Sequence, residues 1–162
     1  MRTSSVYQFL LLAKSFLVCR RSTVCFAAFV ILSGTGCTRP PVVSKEAVVF
    51  PACGSFPNCV NSASGEDSQA IEPISASTAQ WQQLVLWISQ QDNWEIVEER
   101  SNFLQAVSST ALLGFKDDVL LRFEPENDLI QVRSSSRLGY SDMGANRARV
   151  ELLRTIAQEK VE

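Results

Sequence analysis

Two alternating runs on either side of one turn constrain this chain most. Lys116–Glu124 sets Val119, Leu121 and Phe123 on one face and Leu120 and Arg122 on the other. Leu129–Ser135 sets Ile130 and Val132 inward and Gln131 and Arg133 outward. Pro125-Glu126-Asn127-Asp128 lies between them. Proline presets φ there, and Asn and Asp hydrogen-bond their own backbone, so the link is a turn. A period of two marks a strand with one buried face. So short a link favours antiparallel pairing.

Two more strands are expected upstream. Trp94, Ile96 and Glu98 alternate with Glu95, Val97 and Glu99, and residues 102–108 (NFLQAVS) follow. A helix is expected over 78–91, where Trp81, Leu84, Val85 and Ile88 recur at i, i+3, i+4 and i+7. Ser77 or Thr78 serves as its N-cap, and Asp92-Asn93 ends it. Trp81 in such a stripe is read as core rather than as a ligand contact. A second helix is expected over 145–160, with Val150, Leu153 and Ala157 inward, flanked by Leu152 and Ile156, and Asp142 or Asn146 at its start. The expected fold is α+β: a four-stranded, mainly antiparallel sheet with two helices packed on one face. An irregular segment over 53–77, rich in Ser, Pro, Gly and Asn, precedes it.

Residues 1–36 stand apart. They contain no acid; Arg20 and Arg21 precede the apolar run Val24–Leu32, and small residues follow as far as Cys37. A basic region, a short apolar run and a small-residue junction make an export signal. The run is shorter than the roughly 20 residues a membrane span needs. Fusing it with Val6–Val18 would bury Lys14, Arg20 and Arg21 at about 2.5 kcal/mol or more each when central. Leu32-Ser-Gly-Thr-Gly-Cys37 resembles a bacterial lipobox, with Gly34 where Leu is usual. Cys37 is therefore the candidate lipidation site. Ordinary cleavage near Gly36, an uncleaved anchor, twin-arginine export and an organelle transit peptide stay open as alternatives. Residues 37–52, with Pro40, Pro41 and Pro51, are expected to be a tether, leaving 53–162 as one domain.

Of five cysteines, Cys19 and Cys25 lie in the leader and Cys37 at its end. Cys53 and Cys59 remain, with Gly54 and Pro57 between them, and are expected to form a disulfide. A redox pair commonly has two intervening residues, and a metal would need further ligands, so neither a metal nor another cofactor is expected.

Charge and histidine content exclude whole classes of function. The chain of 162 residues carries 15 basic and 17 acidic groups, net −2. All four basic residues before Cys37 fall in the leader, so the remainder has 11 basic and 17 acidic groups, net −6. An acidic domain is a poor match for phosphate backbones, and no nucleic-acid partner is expected. With His at 0, Ser-His-Asp and Cys-His catalysis and His-based zinc sites are ruled out.

One segment concentrates unusual chemistry. Arg133-Ser-Ser-Ser-Arg137-Leu-Gly-Tyr-Ser-Asp142-Met-Gly-Ala-Asn146-Arg147-Ala-Arg149 places four arginines, hydroxyls and two glycines beside a helix start. Arginine forks and free N–H groups there suit a carboxylate or phosphate. Arg133, Ser135, Arg137, Ser141, Arg147 and Arg149 are the candidate ligand-binding residues, with Asp142 and Asn146 as turn or cap. The alternative is structural: the arginines pair with internal acids such as Asp117 and Asp118. Those two are adjacent, so a strand points them to opposite faces. No residue is assigned a catalytic role, because nothing close in sequence activates Ser134, Ser135, Ser136 or Ser141.

With these motifs the chain from about residue 50 to 160 resembles the domain of unknown function 1499 family. The resemblance rests on Cys53…Phe56-Pro-Asn-Cys59-Val-Asn-Ser62, Ile71-Glu-Pro-Ile74, Lys116-Asp-Asp-Val119 and Ile130–Glu151, in that order. Ser135 and Ala145 replace the family's usual Ala and Val, and Leu120 stands where an acid is usual. The resemblance implies envelope or organelle-membrane association and no established reaction. The resulting expectation is an exported, membrane-tethered protein on the periplasmic or lumenal side. Its domain is expected to be a non-enzymatic binding or scaffold module, taking an anionic ligand or a protein partner. The alternative is a hydrolase-like enzyme acting on a phosphate or ester through the Ser/Arg/Asp loop.

Overall fold

The computed structural model describes residues 49–63, 68–110 and 113–159. The export signal and Cys37 lie outside them. The elements are β1 (Cys59–Asn61), β2 (Ile74–Ser75), α1 (Thr78–Ser89), β3 (Trp94–Arg100), β4 (Phe103–Ser109), β5 (Lys116–Glu124), β6 (Leu129–Ser136) and α2 (Ala145–Gln158).

The expected meander is present: β3, β4, β5 and β6 pair in sequence order, all antiparallel. The Pro125–Asp128 turn joins β5 to β6 with Glu124 opposite Leu129 and Phe123 opposite Ile130. The sheet has six strands, however, not four. β1 pairs with Arg133–Ser135 and β2 with Leu129–Ile130, so the two share the open edge of β6. Strands of three and two residues are too short to show a period, and both lie in the segment expected to be irregular. They form because the edge of β6 has backbone groups to satisfy. Asn58 and Ser62 extend the ladder on either side of β1: Ser136 N donates to Asn58 O, and Ser62 N to Val132 O.

Helix α1 begins at Ser77 with a reciprocal cap. Gln80 N donates to the Ser77 hydroxyl and Ser77 N to the Gln80 side chain. Its stripe buries Trp81, Leu84 and Ile88 against Leu104, Val119, Leu121, Phe123, Ile130 and Val132 of the sheet. Trp81 is core: its ring stacks on Phe123 and its Nε1 donates to Ser101 O. Val150, Leu153 and Ala157 of α2 enter the same cluster, so both helices cover one face.

The outer face is also covered in part. Phe50, which falls in the expected tether, packs with Phe103 and Leu120. The Arg122 guanidinium lies 5.8 Å from the Phe50 ring centroid. Cys53 and Cys59 are joined as expected, with Cα atoms 5.7 Å apart. No helix among the described residues is long and apolar enough to cross a membrane.

Candidate functional site

Strand alternation decides how the Arg/Ser/Asp segment is used. In β6 the helix-side row runs Ile130, Val132, Ser134, Ser136, and the outer row runs Leu129, Gln131, Arg133, Ser135, continued by Arg137. Their partners across β5 split the same way: Asp117 lies opposite Ser136, and Asp118 opposite Ser135. The sheet therefore stands between the two halves of the candidate site.

On the helix side a buried polar network ties α2 to the sheet. Arg149 Nη2 donates to Asp117 Oδ2, with side chains only 10% and 4% exposed. Arg149 Nη1 donates to the Ser134 hydroxyl at 2.9 Å and to Asn146 Oδ1 at 2.7 Å. Ser134 in turn donates to Asn146 Oδ1. Asn146 Nδ2 faces Asn58 O, Ser136 Oγ and Asp142 Oδ2, at 2.7–3.0 Å. A buried hydroxyl or amide is tolerated only when so paired. Asn146 does not cap the helix: it sits inside the first turn and is fully buried.

The turn before α2 is built around Asp142. Gly144 is the N-cap by position, with φ 85° and no side chain to accept a bond. Asp142 supplies that acceptor from two residues earlier, taking Gly144 N at 3.0 Å and Asn146 N at 2.8 Å. Burial would raise its pKa, but the hydrogen bonds from the Asn146 and Gly144 backbone and the Asn146 side chain outweigh it. The carboxyl is held below its ordinary value. Ser141 is exposed, and its hydroxyl accepts from Met143 N.

On the outer side, Arg137 grips Asp118 through Nε and Nη2, at 2.7–3.2 Å. That bidentate bond raises the guanidinium pKa above its ordinary value against the opposing cost of burial. Arg133, expected to point outward, is on the outer face and is buried there. It donates to the Ser135 hydroxyl at 2.7 Å, and its Nε has no hydrogen-bond partner among the described residues. Burial lowers its pKa, and nearby Asp118 offsets this in part.

Arg147 is exposed and donates to Ser68 O and Ala70 O. It borders two surface depressions, of ≈ 590 and ≈ 140 Å³, whose linings include neither Arg133, Arg137 nor Arg149. The four arginines thus do not converge on one pocket. Sequence reasoning passed over Ser134 as a structural acceptor, Asn58 as a junction, and Arg154, which donates to Glu72 O and Pro73 O. Ser134 was discoverable, since a hydroxyl in the inward row after Ile130 and Val132 must find a buried partner.

The family model described as protein of unknown function (DUF1499) matches residues 50–156. The chain belongs to that family. No curated protein and no solved structure matches it.

Proposed function

We propose that this chain is an exported, membrane-tethered protein of the cell envelope whose single α+β domain serves as a scaffold rather than a catalyst. In this reading the Arg/Ser/Asp segment is an internal lock that holds one end of the sheet in a fixed shape. The observation that carries it is the use of the arginines: Arg137 is spent on Asp118 and Arg149 on Asp117, both pairs largely buried. The serines are spent too, Ser134 on Asn146, Ser135 on Arg133 and Ser136 on Asn146. The acid-free leader and Cys37 support export and tethering.

Two measurements test the reading. Intact-mass analysis of membrane fractions should find a chain beginning at an acylated Cys37; a chain retaining Met1 removes the export step. Arg137→Gln and Arg149→Gln should each lower the melting temperature, and native mass spectrometry of the wild type should find no small anion released by these changes. An unchanged melting temperature with loss of a bound anion would return the segment to ligand binding.

A further inference from the structure

We propose that the end of the sheet held by this lock is a membrane-contact face that rests on the lipid surface to which the chain is tethered. The inference builds on the tethering reading and adds an orientation to it. Three separate chain segments meet at this end. Arg137 N donates to Lys116 O, which joins the β6–α2 segment to the β4–β5 loop. The Asn58 side chain donates to Gly139 O at 2.7 Å, which joins it to the disulfide loop. Each segment presents large apolar side chains to water: Phe56; Leu113 and Phe115; Leu138, Tyr140 and Met143. Tyr140 is 70% and Met143 99% exposed, and the Phe56 and Tyr140 rings lie 5.3 Å apart. Scattered single exposed apolar residues need no explanation, but a group of six at one end does.

Met143 is the sharpest case. It has φ 53°, a left-handed conformation that non-glycine residues adopt at a cost. Gly144 N on Asp142 and Met143 N on Ser141 hold the turn in that shape. The domain thus fixes its most exposed apolar side chain at a projecting tip.

Two features support lipid as the occupant. The first is the chemistry of the tips. Exposed Lys116 adjoins Phe115, whereas the opposite end carries exposed Glu126, Asp128 and Glu159. Asp92 and Glu95 lie at the β3 edge of the apolar end. Aromatic and aliphatic tips with an exposed cation, Lys116, among them suit insertion at a lipid interface. The second is reach. Cys37 and Val49 are 12 residues apart, at most about 40 Å of chain. The eight residues of β6 span about 27 Å. Phe50 enters near Phe103 and Arg122, toward the far end, so the tether is long enough for the domain to stand on its apolar end.

The test is photocrosslinking of the full chain in the membranes of its own cells. A benzoylphenylalanine is placed at Met143, at Phe115 or, as control, at exposed Asn127 in the far turn. Lipid-mass adducts at 143 and 115 but not at 127 are expected. Adducts with protein alone, a second copy included, or equal labelling at 127, would overturn the proposal, as would no adduct at all. Tethering is read separately, from retention of Cys37→Ser in the membrane fraction. A chain that loses its anchor but still yields lipid adducts on vesicles of phosphatidylethanolamine and phosphatidylglycerol would sink the tether and keep the face.

Discussion

The two faces of the sheet solve one problem in different ways. Asp117 and Asp118 are neighbours, and each meets an arginine of the same segment. On the helix side the charges are paired one to one: Asp117 meets Arg149 Nη2, and Ser134 and Asn146 both accept from its Nη1. On the outer side, Asp118 faces two guanidiniums, Arg137 by direct bonds and Arg133 through space, and Glu95 acts on Arg137 as well. The difference shows that an identical Asp–Arg pairing can sit in a closed hydrogen-bond network or beside a second buried guanidinium. Buried charges are costly unless compensated, so the two pairs should respond differently to loss of the acid.

The largest effect should come from Asp118→Asn, which removes the acid nearest to buried Arg133 and the bidentate partner of Arg137. A loss of about 4 kcal/mol is expected from urea midpoints, within the range for breaking a buried pair. Adding Arg133→Met should recover part of it, because one uncompensated cation disappears. If Asp118→Asn costs less than Asp117→Asn, Arg133 does not depend on Asp118.

Arg149→Gln should cost about 3 kcal/mol, since it strands Asp117 and also strips bonds from Ser134 and Asn146. Replacing the pair together, Asp117→Leu with Arg149→Met, should cost less than the two single changes summed. Additive losses in that double-mutant cycle would mean that the pair is not coupled. The contrast with the outer pair sharpens if Arg137→Gln is milder than Arg149→Gln, because Arg133 remains beside Asp118.

The disulfide loop bridges the two faces. Cys59 lies opposite Ser135 in the outer row, while Asn58 O accepts from Asn146 Nδ2 on the helix side. Replacing Cys53 and Cys59 by Ser should cost about 2 kcal/mol, as expected for so short a closed loop. Thermal melts should show a lowered midpoint with the fold retained, and peptide mapping without reduction should find the linked pair in the wild type.

Much of this fold was legible because its main elements are long enough to show a period. Val119, Leu121 and Phe123 fall where alternation places them, and Trp81, Leu84 and Ile88 where a helical stripe does. Strands β1 and β2 were not legible, since three or two residues carry no period and their formation depends on the distant edge of β6. The opposite facing of Asp117 and Asp118 follows from strand geometry alone. Which arginine each acid receives does not, because Arg149 reaches Asp117 only through the docking of α2 on the sheet. Arg133 falls on the outer face where alternation puts it, but its burial was not legible: alternation assigns a face, and says nothing of what covers that face. Phe50 illustrates the same limit, since nothing local distinguishes it from the proline-containing tether around it.

The smallest expected effect isolates a single charge at the junction between the two faces. Asp142 accepts from two backbone N–H groups at the start of α2, where a negative charge also meets the positive end of the helix. Asp142→Asn keeps a carbonyl acceptor and removes the charge, so about 1 kcal/mol should be lost at pH 7. The carboxyl is held below its ordinary value in the folded chain. Its contribution is therefore present above the unfolded pKa of about 3.9 and lost as pH falls through the lower folded value. Urea midpoints of wild type and variant should differ at pH 7 and converge as pH drops below about 4. A gap that stays constant across that window would mean that Asp142 acts by the shape of its hydrogen bonds and not by its charge. The α2 start would then join the neutral part of the lock, leaving Arg149–Asp117 as the helix-side charge that matters.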